Sequence, residues 1–387
     1  MKLFYYINNN GNLLKLYTMN IKDSVEPKRK IVMLTLTENC NLNCVYCFEK
    51  AKTKKVMSIE TAKNALTYEF KNSDDFDEIE IDLFGGEPTL CMDVIKELVE
   101  WTYNQNFQKP YLFFLETNGV LVHDEIQEWL LKNAEYVWVG LSLDGTRETH
   151  NRNRCDSYDK IDIDFFVKNY TTQSIRMTVN NITVSALSKD IIHLHSLGFD
   201  KIVATFAHGV DWNIDNLTDI LGDELQKLCN FYLANPQLKE CSIFDMDLTK
   251  LVQTDRKIEK WCGTGTHMVS YDINGESYPC HTFQGNTTVK LNPIKSKDFD
   301  FGCVNNFSDN KCVNCIFEPS CPTCYGMNYI NNGNMFDRDK SMCNIVKNTA
   351  LAVSYLRAKQ IETNVKEMKP NEVYQIIQAI EIIQNQY

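Results

Sequence analysis

The regular alternation of strand-like and helix-like segments most restricts what this sequence can fold into. Six short apolar stretches predict strands, and after each of them apolar residues recur at helical spacing. The predicted strands cover residues 31–37, 79–84, 112–115, 137–143, 175–179 and 202–206. Six such units predict an α/β fold with a parallel sheet and right-handed crossovers, two units short of the eight that close a full barrel.

Local signals mark several of the helices that connect these strands. Ser58 is a typical N-cap for the first helix, and Gly198 ends the fifth helix, predicted over 188–197. The fourth helix is marked by Ile161 and Phe165. Ahead of the first unit, residues 4–7 and 13–17 flank an Asn-Asn-Asn-Gly turn and predict a β-hairpin, interpreted as an edge ribbon that covers the sheet.

Three closely spaced cysteines follow the first predicted strand. Cys40, Cys44 and Cys47 have the spacing Cys-x3-Cys-x2-Cys, and the next cysteine is Cys91. Three thiolates this close can hold three irons of a four-iron cluster, leaving the fourth iron open for a small molecule. Half of a zinc site and a set of free cysteines are the alternatives, although zinc ribbons usually pair two Cys-x2-Cys motifs.

Composition excludes several classes of function. The net charge of −11 argues against a general nucleic-acid-binding protein, because phosphate contacts need a basic face. No apolar run reaches the roughly 18 residues of a membrane helix, and residues 1–7 are too short for a secretory signal. A cytoplasmic protein without nucleic-acid or membrane partners is therefore expected. Disulfides are rare in that compartment, so we expect most of the 15 cysteines to bind metal or to take part in redox chemistry.

Polar and glycine residues follow the second and third predicted strands. Parallel strands gather their carboxyl ends, so these residues are expected at one site. Gly85 and Gly86 allow close backbone approach to a ligand, and Glu87 offers acceptors for a ligand ammonium group. Glu116 begins the sequence Glu-Thr-Asn-Gly, and it is either a general base, a ribose ligand or a solvated acid.

The fourth strand ends in a further polar sequence. Ser142 and Asp144 point the same way on a strand and can bind hydroxyl groups. Arg154 can hold a carboxylate through two hydrogen bonds, and Arg176 on the fifth strand is the alternative. A salt bridge at the surface is the other interpretation of either arginine.

Cysteine dominates the sequence again from residue 262. Seven of the eight cysteines in this region form one ordered series, which is too many for one zinc ion, and two zinc sites are the non-redox alternative. They are Cys262, Cys280, Cys312, Cys315, Cys321, Cys324 and Cys343. Four others, Cys91, Cys155, Cys229 and Cys241, are predicted to be free buried thiols.

The first cysteine motif resembles the signature of radical S-adenosylmethionine (SAM) enzymes. Cys40, Cys44 and Cys47 match its cluster ligands, and Tyr46 matches the aromatic position against the adenine. The Gly85-Gly86-Glu87-Pro88 sequence looks like the motif that holds the SAM amino group. The resemblance implies a partial (β/α)6 TIM-type barrel, with Ser142 at the SAM ribose or carboxylate, Asp144 among the cofactor-binding residues, and Arg154 or Arg176 at the carboxylate.

The later cysteines are similar to the SPASM domain of peptide-maturing radical SAM enzymes. That resemblance implies two auxiliary 4Fe–4S clusters, three clusters in all, besides SAM. An outer cluster would be held by Cys312, Cys315, Cys321 and Cys343. An inner cluster would be held by Cys262, Cys280 and Cys324, with Cys303 as its fourth ligand or with an open position. The implied domains are 1–30 (ribbon), 31–235 (barrel), 236–345 (SPASM) and 346–387 (helices).

His281 separates the functional hypotheses. Sulfatase-maturing relatives carry an aspartate base directly after the cysteine that Cys280 matches, whereas here His281 follows it, as in thioether-forming maturases. The leading hypothesis is oxidative crosslinking of a ribosomally made precursor peptide, by a thioether or carbon–carbon bond, with His281 or Glu116 as catalytic residues. A flavodoxin or ferredoxin would donate electrons. Formylglycine formation on a sulfatase and an iron–sulfur redox protein are the alternatives.

Overall fold

A computed structural model describes most of the chain. Within strands and helices, the backbone alone is described for 5–7, 13–15 and 364. The described residues are 5–7, 13–15, 27–49, 52–252, 260–284, 294–295, 297–364 and 369–386.

A two-stranded antiparallel sheet lies at the beginning of the chain. β1 (Tyr5–Ile7) pairs with β2 (Leu13–Lys15), with Tyr5 opposite Lys15. This pairing confirms the predicted hairpin strands, while the Asn-Asn-Asn-Gly turn lies outside the described residues. The hairpin forms a sheet of its own, and its role as a cover of the barrel stays a prediction.

Six parallel strands form the centre of the main sheet, as the sequence predicts. Each strand pairs with the next along the chain, so the six βα units follow one another across the sheet. The strands are β3 (Arg29–Thr37), β4 (Glu78–Gly85), β5 (Tyr111–Thr117), β6 (Val137–Ser142), β7 (Ile175–Val179) and β8 (Ile202–Phe206).

Two further strands come from the cysteine-rich region and extend this sheet to eight strands. β9 (Met268–Tyr271) pairs in parallel with β3, and β10 (Ser277–Tyr278) pairs antiparallel with β9. The sequence analysis did not predict them. The predicted domain boundaries stay predictions, but the cysteine-rich region and the six-stranded unit share one sheet.

Helices cover the sheet between the strands, one more lies within the cysteine-rich region, and two more come at its end and after it. Short α4 was not predicted, and the fourth predicted helix begins at Ile163, two residues after Ile161. The helices are α1 (Ile59–Lys71), α2 (Met92–Asn104), α3 (Asp124–Lys132), α4 (Arg147–Asn153), α5 (Ile163–Tyr170), α6 (Leu187–Ser196), α7 (Leu217–Ala234), α8 (Tyr325–Asn332), α9 (Cys343–Asn364) and α10 (Pro370–Gln384). None of the described helices is long and apolar enough to span a membrane.

The predicted helix signals hold at the atomic level. The Ser58 hydroxyl accepts a hydrogen bond from the Thr61 amide at 3.1 Å, which caps α1. Gly198 has φ +101° directly after α6, a conformation that favours glycine. In α10, Val373 and Ile383 are buried, whereas Ile377 is 42% exposed. That helix packs on residues 248–251 and on α9.

Alternation along the strands separates the core from the site. On β4, Ile79, Ile81 and Leu83 are buried in the core with the helices, while Asp82 and Phe84 point to the opposite face. Phe84 lines a cavity of about 420 Å³, called the main cavity below, so this second face is the inner face of the partial barrel.

A buried ion pair joins three elements at the start of the sheet. Lys30 on β3 pairs with Glu69 on α1, and the two side chains are 13% and 3% exposed. Tyr271 on β9 donates its hydroxyl to Glu69 Oε1 at 2.5 Å. The Glu69 carboxylate therefore connects β3, α1 and β9.

We expect Lys30→Met to lower the free energy of unfolding by about 3 kcal/mol, because it leaves the Glu69 carboxylate buried without its cation. Urea unfolding followed by circular dichroism measures this loss. The control is Lys63→Met, which removes an ion pair to Glu97, whose side chain is 55% exposed. Exposed pairs contribute about 1 kcal/mol or less, so equal losses in both variants would contradict the prediction.

Candidate functional site

A cavity of about 420 Å³ opens at the carboxyl ends of the parallel strands. Its wall combines the loops after β3, β4 and β5 with residues of the cysteine-rich region, as the strand-end rule predicts. The structure brings most of the predicted site residues together here. They are Cys40, Cys44, Tyr46, Cys47, Gly85, Gly86, Glu87, Glu116, Ser142, Arg154, Cys262, Cys280, His281 and Cys324.

The loop after β3 presents three thiols to this cavity. Cys47 donates its amide to the Cys44 carbonyl at 3.1 Å, and the Cys40 sulfur accepts from the Leu42 amide at 3.4 Å. Burial raises the pKa of Cys44 to about 11, with Arg154 opposing that shift. Cys44 therefore carries its proton at pH 7 in the absence of a metal, so metal binding there would release that proton.

Two glycines hold this loop against the loop after β4. The Gly86 amide donates to the Thr37 carbonyl at 2.9 Å, and the Glu87 amide donates to the Asn39 carbonyl at 2.8 Å. A Cβ atom on Gly85 or on Gly86 would overlap those same two carbonyl groups. The glycines were predicted to let the backbone approach a ligand, and in the structure they let it approach the cysteine loop.

Glu87 presents a fixed carboxylate on the wall. Its Oε1 atom accepts from the Thr89 amide at 3.1 Å, the Thr89 hydroxyl at 2.5 Å and the Thr117 hydroxyl at 2.7 Å. Its Oε2 atom accepts from the Asn118 amide at 2.8 Å. Burial raises the pKa of Glu87, while these hydrogen bonds oppose the shift. Oε2 retains capacity for one further donor.

Asp144 lies behind the wall rather than on it, in contrast to the predicted contact with a hydroxyl ligand. Its carboxylate is fully buried and accepts from Tyr46 Oη at 2.6 Å, Asn153 Nδ2 at 3.1 Å and the Thr178 amide at 3.0 Å. Arg154 Nε lies 3.1 Å from the same carboxylate. With these donors around it, Asp144 positions Tyr46 and Arg154, both of which line the cavity.

The two candidate arginines differ in location. Arg154 lines the cavity and lies 5.4 Å from the centre of the Tyr46 ring. Arg176 is not on the wall, and its Nε lies 3.9 Å from Glu116 Oε2. Asp82 lies next to this pair, and burial together with Glu80 and Glu116 raises its pKa. Glu116 thus lines the cavity and also lies close to Arg176 and Asp82.

His281 offers an unused nitrogen to the cavity. Its ring centre lies 4.7 Å from that of Phe84 and 5.4 Å from that of Phe48. The Nδ1 atom is buried and has no hydrogen-bond partner among the described residues. Burial lowers the pKa of His281 to about 4, so its imidazole is neutral at pH 7.

The later cysteines separate into two groups, as the resemblance implies. The inner cysteine group (Cys262, Cys280 and Cys324) lines the main cavity, and its members interact electrostatically. The outer cysteine group (Cys312, Cys315, Cys321 and Cys343) lines a second cavity of about 60 Å³. Cys303 lines neither cavity, and its amide donates to Asp300 Oδ1 at 3.2 Å. Its predicted role stays untested.

Within the described part of the chain, no three His, Cys, Asp or Glu side chains converge on a point that could hold a single metal ion. A multi-iron cluster needs no such convergence, because each thiolate binds a different iron. The arrangement of the cysteines along cavity walls is therefore compatible with clusters.

The remaining cysteines are mostly buried, as predicted. Cys91, Cys229 and Cys241 are buried, but the prediction for Cys155 is wrong because its side chain is exposed. Cys155 has φ +56°, and its sulfur accepts from the Asn43 amide of the cysteine loop at 3.4 Å.

Sequence reasoning missed several residues of the wall. The most informative are Thr178 near the end of β7, His208 just after β8, and Met268 and Met327 from the cysteine-rich region. Applying the strand-end rule to the fifth and sixth strands would have found Thr178 and His208. No local signal marks the two methionines.

Comparisons with known proteins agree with this geometry. Residues 34–184 match the family model of the radical SAM superfamily. The chain is 32% identical over 133 residues to a cysteine-type anaerobic sulfatase-maturating enzyme of Clostridium novyi, a match that spans 32% of this chain and 34% of that enzyme. It is 24% identical over 358 residues to the radical SAM cyclopropyl synthase TigE of Paramaledivibacter caminithermalis, spanning 82% of this chain and 72% of that protein.

Solved structures share the fold. The structure of native anSMEcpe with bound AdoMet superimposes with a TM-score of 0.66 at 18% identity, covering 87% of this chain and all of that one. Streptococcus suis SuiB bound to precursor peptide SuiA gives a TM-score of 0.53 at 16% identity, covering 84% of each chain. The predicted fold, a partial barrel followed by a cysteine-rich region with helices, is confirmed.

We expect Gly86→Ala to destabilise the protein by roughly 1–3 kcal/mol, because the new Cβ would overlap the Asn39 carbonyl and lie 3.0 Å from Cys40 Cβ. The thermal unfolding midpoint should fall accordingly. The control is Gly222→Ala within α7, whose Cβ would meet no atom closer than 3.5 Å. It should stabilise the helix by about 1 kcal/mol. A midpoint unchanged in Gly86→Ala would mean that the two loops do not pack this tightly.

Proposed function

Since residues 34–184 form a radical SAM domain, we propose that this chain is a peptide maturase. It would bind SAM at a 4Fe–4S cluster held by Cys40, Cys44 and Cys47, and oxidatively crosslink a ribosomally made precursor peptide. One observation carries the proposal. The three-cysteine loop, the inner cysteine group and His281 all line a single cavity.

The wall around the three thiols fits SAM. Oε2 of Glu87 can accept from the SAM ammonium group, and Arg154 supplies the positive charge for its carboxylate. Ser142 is assigned to the ribose, and Tyr46, fixed by Asp144, is assigned to the adenine. When bound, the cluster and SAM supply a 5′-deoxyadenosyl radical that removes a hydrogen atom from the substrate.

Two relatives support a peptide as the substrate class. SuiB was solved with a precursor peptide, and anSMEcpe was solved with AdoMet and the Cp18Cys peptide. The cavity of about 420 Å³ would admit a few side chains of such a peptide.

The inner cysteine group supports a thioether over other bonds. Its three cysteines leave a position for an exchangeable ligand, and a substrate thiol is the ligand proposed. His281 directly follows Cys280, and its neutral imidazole can accept the thiol proton. Glu116 is the second candidate base, because it lines the same cavity.

Formylglycine formation on a sulfatase is the second candidate function. The match to the Clostridium novyi enzyme and the fold shared with anSMEcpe favour it. His281 argues against this function, because sulfatase-maturing enzymes carry an aspartate at this position. A pure iron–sulfur redox protein is disfavoured, since it would not need Glu87, Arg154 and Tyr46 around the three thiols.

The auxiliary clusters and the electron donor belong to the same proposal. The inner and outer cysteine groups would each hold a 4Fe–4S cluster that carries electrons away from the oxidised substrate. A flavodoxin or ferredoxin would supply the electron that starts the reaction.

We expect Arg154→Gln to weaken SAM binding about tenfold or more, since a charge-assisted hydrogen bond is worth roughly 1.5–3 kcal/mol. Calorimetry on the reconstituted protein measures the dissociation constant. Arg176→Gln is the matched control, because Arg176 does not line the cavity. The affinity of this variant for SAM should be unchanged. The reverse order of effects would move the carboxylate site to Arg176.

The product tests the reaction. With SAM, a reductant and its peptide, the enzyme should yield a peptide that has lost two hydrogens and one alkylatable thiol for each crosslink. Mass spectrometry after alkylation detects both losses. Cys44→Ala, which lacks one cluster ligand, should form no product and no 5′-deoxyadenosine.

Other products would contradict the thioether in different ways. Two lost hydrogens with all thiols still alkylatable would indicate a carbon–carbon bond. Conversion of a cysteine to an aldehyde would favour formylglycine formation. Absence of 5′-deoxyadenosine from the wild type would refute the radical SAM activity itself.

A further inference from the structure

An arginine is packed into the outer cysteine group. Arg338 lines the same cavity of about 60 Å³ as Cys312, Cys315, Cys321 and Cys343, and its side chain is only 11% exposed. Its guanidinium interacts electrostatically with Cys321 and Cys312. A cation is therefore held in the wall of the cavity that the four thiols line.

Contacts with Glu318 and Asp309 fix the arginine in place. Its Nη2 atom donates to Glu318 Oε1 at 2.8 Å, and its Nη1 atom donates to the Glu318 carbonyl at 3.5 Å. Its backbone amide donates to Asp309 Oδ2 at 3.1 Å. These contacts hold the guanidinium and its backbone from one side, so its position does not depend on a bound cofactor.

One donor of this guanidinium is unused. The Nε atom is buried and has no hydrogen-bond partner within the described residues. Leaving a buried, charged donor unpaired is unfavourable, because nothing compensates the loss of its hydration. The nearby acceptors that could satisfy it are sulfur atoms of the outer cysteine group.

We propose that Arg338 donates from Nε to the outer cysteine group and raises the reduction potential of the cluster bound there. A thiolate-ligated cluster is anionic, and reduction adds one more negative charge. A buried cation and a hydrogen bond to sulfur both stabilise that added charge. The inference rests on the proposed function in one respect, namely that this group holds a 4Fe–4S cluster.

This assignment makes the outer group the place where electrons leave the enzyme. One electron from the oxidised substrate would reduce the outer cluster, and an oxidised carrier of the flavodoxin or ferredoxin class would then take that electron. Cys343 is exposed, so the group lies close enough to the surface for such a carrier. Without Arg338, the reduced form of the outer cluster would be less stable.

The test compares two substitutions with opposite expected signs in the full-length reconstituted protein. Arg338→Gln removes the cation and should lower the midpoint potential of the outer cluster, by ~59 mV for each tenfold change in its reduction equilibrium. Glu318→Gln keeps the arginine but removes its counter-charge, so it should raise the potential. A redox titration monitored by electron paramagnetic resonance measures both. A Cys312→Ala, Cys315→Ala double variant identifies the outer signal by its loss.

Arg147→Gln is the control, because Arg147 forms a fully exposed ion pair with Asp159 away from the cysteines. It should leave all midpoints unchanged. Unchanged midpoints in both Arg338→Gln and Glu318→Gln, or shifts of the same sign, would overturn the inference. If Arg338→Gln fails to fold, the shift in Glu318→Gln decides alone. Zinc instead of iron at the outer group would instead overturn the cluster assignment in the proposed function.

Discussion

The buried carboxylate of Asp144 is the interaction on which the site depends. An unpaired buried carboxylate costs several kcal/mol, so it is stable only when donors surround it. Here Tyr46, Asn153 and the Thr178 amide donate hydrogen bonds, and the Arg154 guanidinium adds an ion pair. These donors come from the cysteine loop, from α4 and its end, and from β7, so one charge fixes the relative positions of three elements. The ring and the guanidinium that face the cavity are thereby rigid before any ligand arrives.

The sequence predicted the six parallel strands because their information is local. Apolar periodicity and turn residues lie within each segment, and neither needs knowledge of the partner strand. The strands β9 and β10 have only four and two residues; β9 is a strand because β3 offers an edge to pair with, and β10 pairs with β9 in turn. Helix α4 contains no apolar stripe in its sequence Arg-Glu-Thr-His-Asn-Arg-Asn, and its ends are fixed by the Thr146 cap and by tertiary contacts.

The sequence predicted which residues meet at the candidate site, but it predicted the role of each residue less well. Strand-end position correctly gathered Glu87, Glu116 and Ser142 on one wall. It could not reveal that Asp144 turns away toward Tyr46, because that choice depends on donors from residues far along the chain. The exposure of Cys155 had no local signal either, since it follows from a left-handed backbone conformation beside the cysteine loop.

The pairing of β9 with β3 has a consequence for how the chain folds during synthesis. Ile31 lies opposite Met268, so this edge of β3 stays unpaired until the ribosome has synthesised a segment 237 positions further along the chain. At 5–20 residues per second, that delay is roughly 10–50 seconds. Throughout it, a half-finished barrel carries an unpaired apolar edge strand, the feature that most readily recruits other chains. Chaperone capture of the nascent chain, or early docking of another segment on that edge, would protect the chain until the cysteine-rich region emerges.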